Sequence, residues 1–165
     1  MPLAPAINDL EQLKNHPAVA RLLAWKDSAI QSVKFDREEM TIFVDRSDIR
    51  EACALLRDDP PCPFNFLSDV TCVDWYPSEP RFEVVYHLLS IQNKERLRLK
   101  VHLNSSSPTI DSITPVWPGA NYFEREVYDL FGVRFAGHPY LRRIMMPEDW
   151  EGHPLRKDYP VEGYR

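Results

Sequence analysis

Glycine is scarce in this sequence and poorly placed for nucleotide chemistry. All five glycines (Gly119, Gly132, Gly137, Gly152, Gly163) lie beyond residue 118. None forms Gly-x-Gly-x-x-Gly or a phosphate loop, whose backbone amides must approach a phosphate closely. Gly-x-Ser-x-Gly is missing as well, and no Ser or Cys sits in a recognisable nucleophile context. The three cysteines, Cys53, Cys62 and Cys72, are odd in number and show no Cys-x-x-Cys spacing. That pattern argues against a disulfide framework, an iron–sulfur site or a structural zinc. The five histidines, at 16, 87, 102, 138 and 153, include no His-Glu-x-x-His and no close Cys/His cluster. No apolar run approaches the roughly 18 residues that a membrane-spanning helix needs. The start, Met1-Pro2-Leu3-Ala4-Pro5, lacks a secretory or transit pattern, so the simplest compartment is the cytosol. With 20 Lys and Arg against 25 Asp and Glu, the net charge is −5. The whole-chain field therefore repels nucleic acid and anionic membrane, and an anionic partner must be met by a local patch.

What is present suits one domain, with or without an arm: 165 residues, 44% hydrophobic and 27% charged. From Asn8 to Trp25 the residues Leu10, Leu13, Val19, Leu22 and Leu23 fall at helical spacings, with Asn8 and Glu11 as a capping-box variant and Pro17 splitting the stretch in two. Residues 29–35 and 40–44 read as a hairpin closed by Asp36-Arg37-Glu38-Glu39. Ser47 then caps a helix carrying Ile49, Ala52, Cys53 and Leu56 on its apolar face, which makes Cys53 a core residue. Asp58-Asp59-Pro60-Pro61 stops that helix, and residues 66–76 form the next strand region.

The clearest pattern lies in residues 81–91 and 95–103. Phe82, Val84, Tyr86 and Leu88 occupy one face of the first segment; Leu97, Leu99, Val101 and Leu103 alternate with Arg96, Arg98, Lys100 and His102 in the second. A two-residue turn at Asn93-Lys94 pairs Leu99 with Leu88, Val101 with Tyr86 and Leu103 with Val84. The basic stripe Arg96, Arg98, Lys100, His102 reads either as a solvated sheet face or as a surface for phosphate or an acidic partner. It has no interleaved aromatic residue of the kind that single-strand nucleic-acid binders use for stacking.

Residues 104–118 read as a loop and connector, and residues 119–131 as a strong helix. Phe123, Val127, Leu130 and Phe131 form its apolar stripe, Arg125 and Asp129 stand four apart as an ion pair, and Gly132 ends it at C′. This divides the chain into a core domain, 1–131, and an arm, 132–165. The arm holds Pro139, Pro147, Pro154 and Pro160 with Phe135, Tyr140, Trp150, Tyr159 and Tyr164. It is too broken for a long helix and too apolar for a solvated tail, so it docks on a partner protein or folds back on its own domain.

The run Glu124-Arg125-Glu126-Val127-Tyr128-Asp129-Leu130-Phe131-Gly132-Val133, then Gly137-His138-Pro139-Tyr140-Leu141-Arg142-Arg143-Ile144, resembles the signature of the 30 kDa subunit of proton-pumping NADH:quinone oxidoreductase (respiratory complex I). Pro147-Glu148-Asp149-Trp150-Glu151-Gly152-His153-Pro154-Leu155-Arg156-Lys157-Asp158-Tyr159-Pro160 extends the likeness. The resemblance implies a cofactor-free scaffold protein of the peripheral arm on the cytoplasmic side of the inner membrane, without direct membrane insertion. It packs against the large quinone-site subunit and neighbouring iron–sulfur subunits, with FMN, iron–sulfur clusters and quinone held by other chains. The implied partner-binding residues are Glu124, Arg125, Glu126, Asp129, His138, Arg142, Arg143, Asp149, Trp150, Arg156, Lys157, Asp158 and Tyr159. By analogy Glu124, Arg125, Glu126 and Asp129 fix the arm's take-off, and the arm's arginines pair with carboxylates at the interface. His138 and His153 read as turn residues beside prolines. Related photosynthetic quinone reductases and membrane-bound hydrogenases carry similar chains, and a free-standing nucleic-acid-binding module is the remote alternative. The expected fold is α+β: a mostly antiparallel or mixed sheet, helices on one face and an extended C-terminal arm.

Overall fold

The structure, a computed structural model, describes residues 5–163. The Met1-Pro2-Leu3-Ala4 start and Tyr164 lie outside the described residues. Pro17 divides the first helical stretch because it supplies no N–H: Leu10–Leu13 (α1) ends before it, and Pro17–Trp25 (α2) begins on it. The cap of α1 is Asp9 rather than Asn8; its carboxylate accepts from the Glu11 amide at 3.0 Å. Ile30–Asp36 (β1) and Glu39–Val44 (β2) form the expected hairpin. Arg37 and Glu38 both take positive φ, 52° and 65°, as a two-residue type I′ turn requires. In Ile49–Arg57 (α3), Ile49, Ala52, Cys53 and Leu56 are all fully buried. The cap position of α3 falls on Asp48, not Ser47. The Ser47 hydroxyl is drawn back to Asp45 at 2.7 Å, and the Asp48 carboxylate instead takes Lys26.

Phe66–Asp74 (β3), Phe82–Ser90 (β4) and Glu95–Leu103 (β5) complete a five-stranded sheet in the order β1-β2-β5-β4-β3. The β2–β5 pair is parallel and its neighbours are antiparallel, so the sheet is mixed. The β4–β5 register differs from expectation: Tyr86 faces Leu99, Leu88 faces Leu97 and Val84 faces Val101. Ser90 pairs with Glu95, so residues 91–94 form the loop, with Lys94 at φ 56°. The slip is two residues, which leaves every apolar side chain on its original face; a period of two cannot distinguish these registers. The inner face of the sheet and the buried residues of α2 and α3 join one apolar cluster.

The expected connector contains Thr109–Asp111 (β6), which pairs in parallel with Arg134–Ala136 (β7), setting Ile110 opposite Phe135. A parallel pair needs a crossover, and the helix Ala120–Phe131 (α4) provides it. Val133 and Phe135 are buried in the same core. Regular structure therefore runs to Ala136, and residues 137–163 contain no helix or strand.

The turn at Arg37-Glu38 yields a stability test, since a left-handed conformation is costly for a residue with a Cβ. Glu38→Gly should stabilise the chain by about 0.5–1 kcal/mol after glycine's own entropy cost. Urea unfolding would check this, and a lower midpoint would show that the Glu38 side chain contributes more than its strain.

Candidate partner-binding arm

An α-helix leaves its last four carbonyls without intrahelical donors. At the end of α4, Gly132 turns left-handed (φ 77°) and returns its own N–H to Tyr128 O at 2.9 Å. The arm supplies the rest. His153 Nδ1 donates to Asp129 O at 2.8 Å, the Leu155 amide to Leu130 O at 3.0 Å, and Arg156 Nε to Phe131 O at 2.6 Å. Guanidinium groups at this end also meet the negative pole of the helix dipole. A Cβ at position 132 would stand 2.4 Å from Arg156 Nη2 and 2.6 Å from the His153 ring, so glycine serves both the turn and this close approach.

Asp129 is the second anchor. Its buried carboxylate accepts the amides of Ile144, Met145 and Met146 at 3.0, 2.8 and 2.8 Å on one oxygen, and Arg143 Nη1 at 2.6 Å on the other. Burial works against its charge, but these amides and Arg143 outweigh burial and hold the carboxyl below the usual range. Arg125 donates to the carbonyls of Arg142 and Arg143 at 3.2 and 3.1 Å. The expected Arg125–Asp129 pair is not made, because the folded arm offers each of them closer partners across the helix surface. Arg143 goes on to the carbonyls of Trp150 and Gly152. His138 holds a turn as expected, donating to Asn121 O and accepting from the Tyr140 amide. The Arg142 guanidinium lies 4.1 Å from the centre of the Tyr140 ring.

A third anchor was not visible in the sequence. Arg81 forms a two-bond pair with Asp74, both at 2.9 Å, and a second with Asp158 of the arm at 3.0 and 2.6 Å. Asp74 also accepts the Lys157 amide at 2.9 Å. Burial pushes the Asp74 carboxyl up, but Arg81 and the Lys157 and Tyr76 amides overcome it and hold it down to about 2. No spacing pattern links residues 77 apart, as Arg81 and Asp158 are.

The remaining expected residues separate. Glu124 is fully buried and does not touch the arm. It accepts from Ser112 Oγ at 2.6 Å and the Ile113 amide at 2.7 Å, tying α4 to the segment before it. Glu126 is exposed on the helix. Asp149, Trp150 and Tyr159 line a recess of about 340 Å³ with Glu151 and Glu162. Lys157 contributes its backbone, while Arg142, besides its contact with Tyr140, makes an exposed 3.9 Å approach to Glu148.

The arm's polarity is inverted relative to a core segment. None of residues 137–163 is buried, and Tyr140, Ile144, Met145, Trp150, Leu155 and Val161 are exposed. On the sheet's outer face the basic stripe meets acid: Arg98 pairs with Glu39, while Lys100 and His102 both donate to Glu83, at 2.7 and 3.1 Å. All three thiols are buried, and burial raises each; that of Cys62 reaches about 11. Among the described residues, no set of three or more His, Cys, Asp or Glu is placed to hold a metal ion, and no helix is long and apolar enough to cross a membrane.

Comparison with known proteins points one way. Residues 42–165 match the family described as respiratory-chain NADH dehydrogenase, 30 Kd subunit. The C subunit of NADH-quinone oxidoreductase from Roseiflexus sp. (strain RS-1) is 49% identical over 90% of this chain and 86% of that protein. The mitochondrial NADH dehydrogenase [ubiquinone] iron-sulfur protein 3 of Candida albicans is 43% identical over 97% of this chain and 59% of its own length. Among solved structures, the trypsin-resistant fragment (1–134) of Nqo5 is 33% identical, with a TM-score of 0.54 over 62% of this chain and 83% of the fragment. A chain of the membrane-bound sulfane sulfur reductase, an archaeal respiratory membrane complex, is 26% identical, with a TM-score of 0.74 over 90% of this chain and 86% of its own.

Burial raises the Glu124 carboxyl from its usual 4.5 to about 7, against the pull of Ser112, the Ile113 amide and Arg50. The folded chain therefore binds this proton more tightly than the unfolded chain. Glu124's contribution is complete below pH 4.5 and lost as pH rises through 7, a loss of about 3 kcal/mol. Glu124→Gln should flatten that part of the profile in urea titrations between these values. An unaltered slope would assign it to another group.

Proposed function

The chain belongs to the respiratory-chain NADH dehydrogenase 30 kDa subunit family, and from that membership we propose that it is a cofactor-free scaffold protein of a proton-translocating NADH:quinone oxidoreductase. In this reading it sits in the peripheral arm of the complex on the cytoplasmic side of the membrane. It attaches to the large quinone-site subunit through residues 137–163 and lies beside the iron–sulfur subunits. FMN, iron–sulfur clusters and quinone belong to other chains. The observation that carries the docking role is the arm's inverted polarity: its hydrogen-bonding groups turn toward α4, β3 and β4, while Ile144, Met145, Trp150 and Leu155 face outward. Apolar area left in water is what a partner surface removes, at about 25 cal/mol per Å².

The donor chemistry supports the cofactor-free part of the reading. Cluster ligation needs thiolates, whereas burial keeps Cys53, Cys62 and Cys72 as neutral thiols on separate elements. The likeness to a trypsin-resistant fragment, over 62% of this chain, supports a compact core domain. A second reading, the equivalent protein of a related membrane-bound reductase, draws on the likeness to the sulfane sulfur reductase chain. The higher identity to the NADH-quinone oxidoreductase relative, 49% against 26%, favours the first.

Removing residues 138–165 spares β7 and the core, and should leave a folded domain with a cooperative circular-dichroism melt. The same deletion in the producing cell should lower the amount of the large quinone-site subunit recovered with this chain by roughly tenfold or more, the loss expected when an interface loses its buried anchors. Undiminished recovery would overturn the arm's assigned role.

A further inference from the structure

We propose that the arm closes on α4 only as a partner covers it, so that residues 137–163 fold as they dock. This rests on the docking reading above and adds the order of events to it. The segment contains no helix and no strand, and none of its residues is buried. Ordering its backbone forfeits conformational entropy at every position. Most contacts returned by its own domain are polar: three amides on Asp129, three donors on the helix carbonyls, and Asp158 on Arg81, while Leu141 and Met146 pack against the core only part-buried. Each of those bonds replaces one to water, so its net gain is small. The apolar area able to offset the entropy points outward, at Met145, Trp150, Leu155 and Val161, where only another surface takes it out of water.

The anchors, by contrast, are in place beforehand. Asp129 is built into α4, and Arg81 is already fixed by Asp74 across the β3–β4 turn. They form two set sockets into which amides 144–146 and Asp158 can enter. The sockets decide which residues of the arm land where, and the partner supplies the area that keeps them there.

Hydrogen–deuterium exchange on the full chain, alone and within the purified membrane complex, tests this. The amides of Ile144, Met145, Met146, Leu155 and Lys157, each bonded in the closed form, should exchange at least roughly a hundredfold more slowly in the complex than in the isolated chain. Equal protection in both would overturn the proposal, because the arm would close unaided; the docking reading would then stand or fall separately on the deletion experiment. Fast exchange in both would overturn it too, since the arm would never close. Asp129→Asn gives a second check: in the isolated chain it should change exchange at 144–146 by less than about twofold. An acceleration of roughly tenfold or more would show the socket already filled and would count against the proposal.

Discussion

The open carbonyl end of α4 is the constraint from which the rest of the arm follows. A helix that stops leaves acceptors facing outward, and here it stops because Gly132 goes left-handed and reverses the chain. The reversal is itself fixed from both sides: β6 before the helix and β7 after it pair in parallel, so the direction of α4 is set by the sheet ladder and not by the arm. Once the chain has run past β7, it returns across the helix end. It satisfies that end by presenting three closely spaced donors, His153, the Leu155 amide and Arg156. Asp129, one turn back, performs the converse task by accepting three consecutive amides. A single helix terminus thus dictates the path of two separate stretches of the arm.

Local features of the fold were legible and pairings at a distance were not. The helical stripe of α3, the split at Pro17 and the ending at Gly132 are each decided within a few residues, and the structure has them as read. The β4–β5 faces were also correct, yet their register was off by two, because alternation fixes which side a residue faces and says nothing about how far one strand slides along the other. Caps were misassigned by one residue at Asn8 and Ser47, where several polar side chains compete for the same orphan amides. Arg125 and Asp129 illustrate the harder failure. Four residues apart on a helix, they have the spacing of an ion pair, but a backbone brought in from residues 142–146 offers each more than the other could. Arg81 and Asp74 carry no mark of their role in the sequence, since their partner lies beyond five intervening elements.

Charge is handled differently on the two sides of the molecule. On the sheet's outer face, Glu83 answers both Lys100 and His102, and Glu39 answers Arg98, so cations that look like a binding stripe in one strand are matched by acids from the strands beside it. Neighbouring strands are invisible in a linear pattern, which is why the stripe read as ambiguous. With Arg98, Lys100 and His102 matched in this way, the face offers less to a phosphate backbone than the stripe alone suggests, in keeping with the net charge of −5. At the arm the matching is between separate segments, and Arg81 serves Asp74 and Asp158 together. Breaking either side would leave a largely desolvated charge poorly compensated, so the geometry is specified more sharply than the net energy of the pair alone would suggest.

Why most inward contacts of the arm are polar, with only Leu141 and Met146 packing part-buried against the core, follows from what an attaching segment must avoid. An arm held to its own domain by buried leucines would either close permanently, hiding the surface meant for a partner, or expose those leucines whenever it opened and invite nonspecific association. Carboxylate and guanidinium sockets avoid both outcomes, because when empty they present charge and not apolar surface. They also discriminate by position: three amides in sequence fit Asp129 only when Ile144 arrives first, and a slip of one residue would misplace Arg143 from Trp150 and Gly152 at the same time. Register and affinity are then carried by different chemistry, the first by hydrogen bonds set within this chain and the second by apolar area that another chain must cover. Under the proposed docking role, that separation lets an assembly check the arm's alignment before committing hydrophobic surface to it.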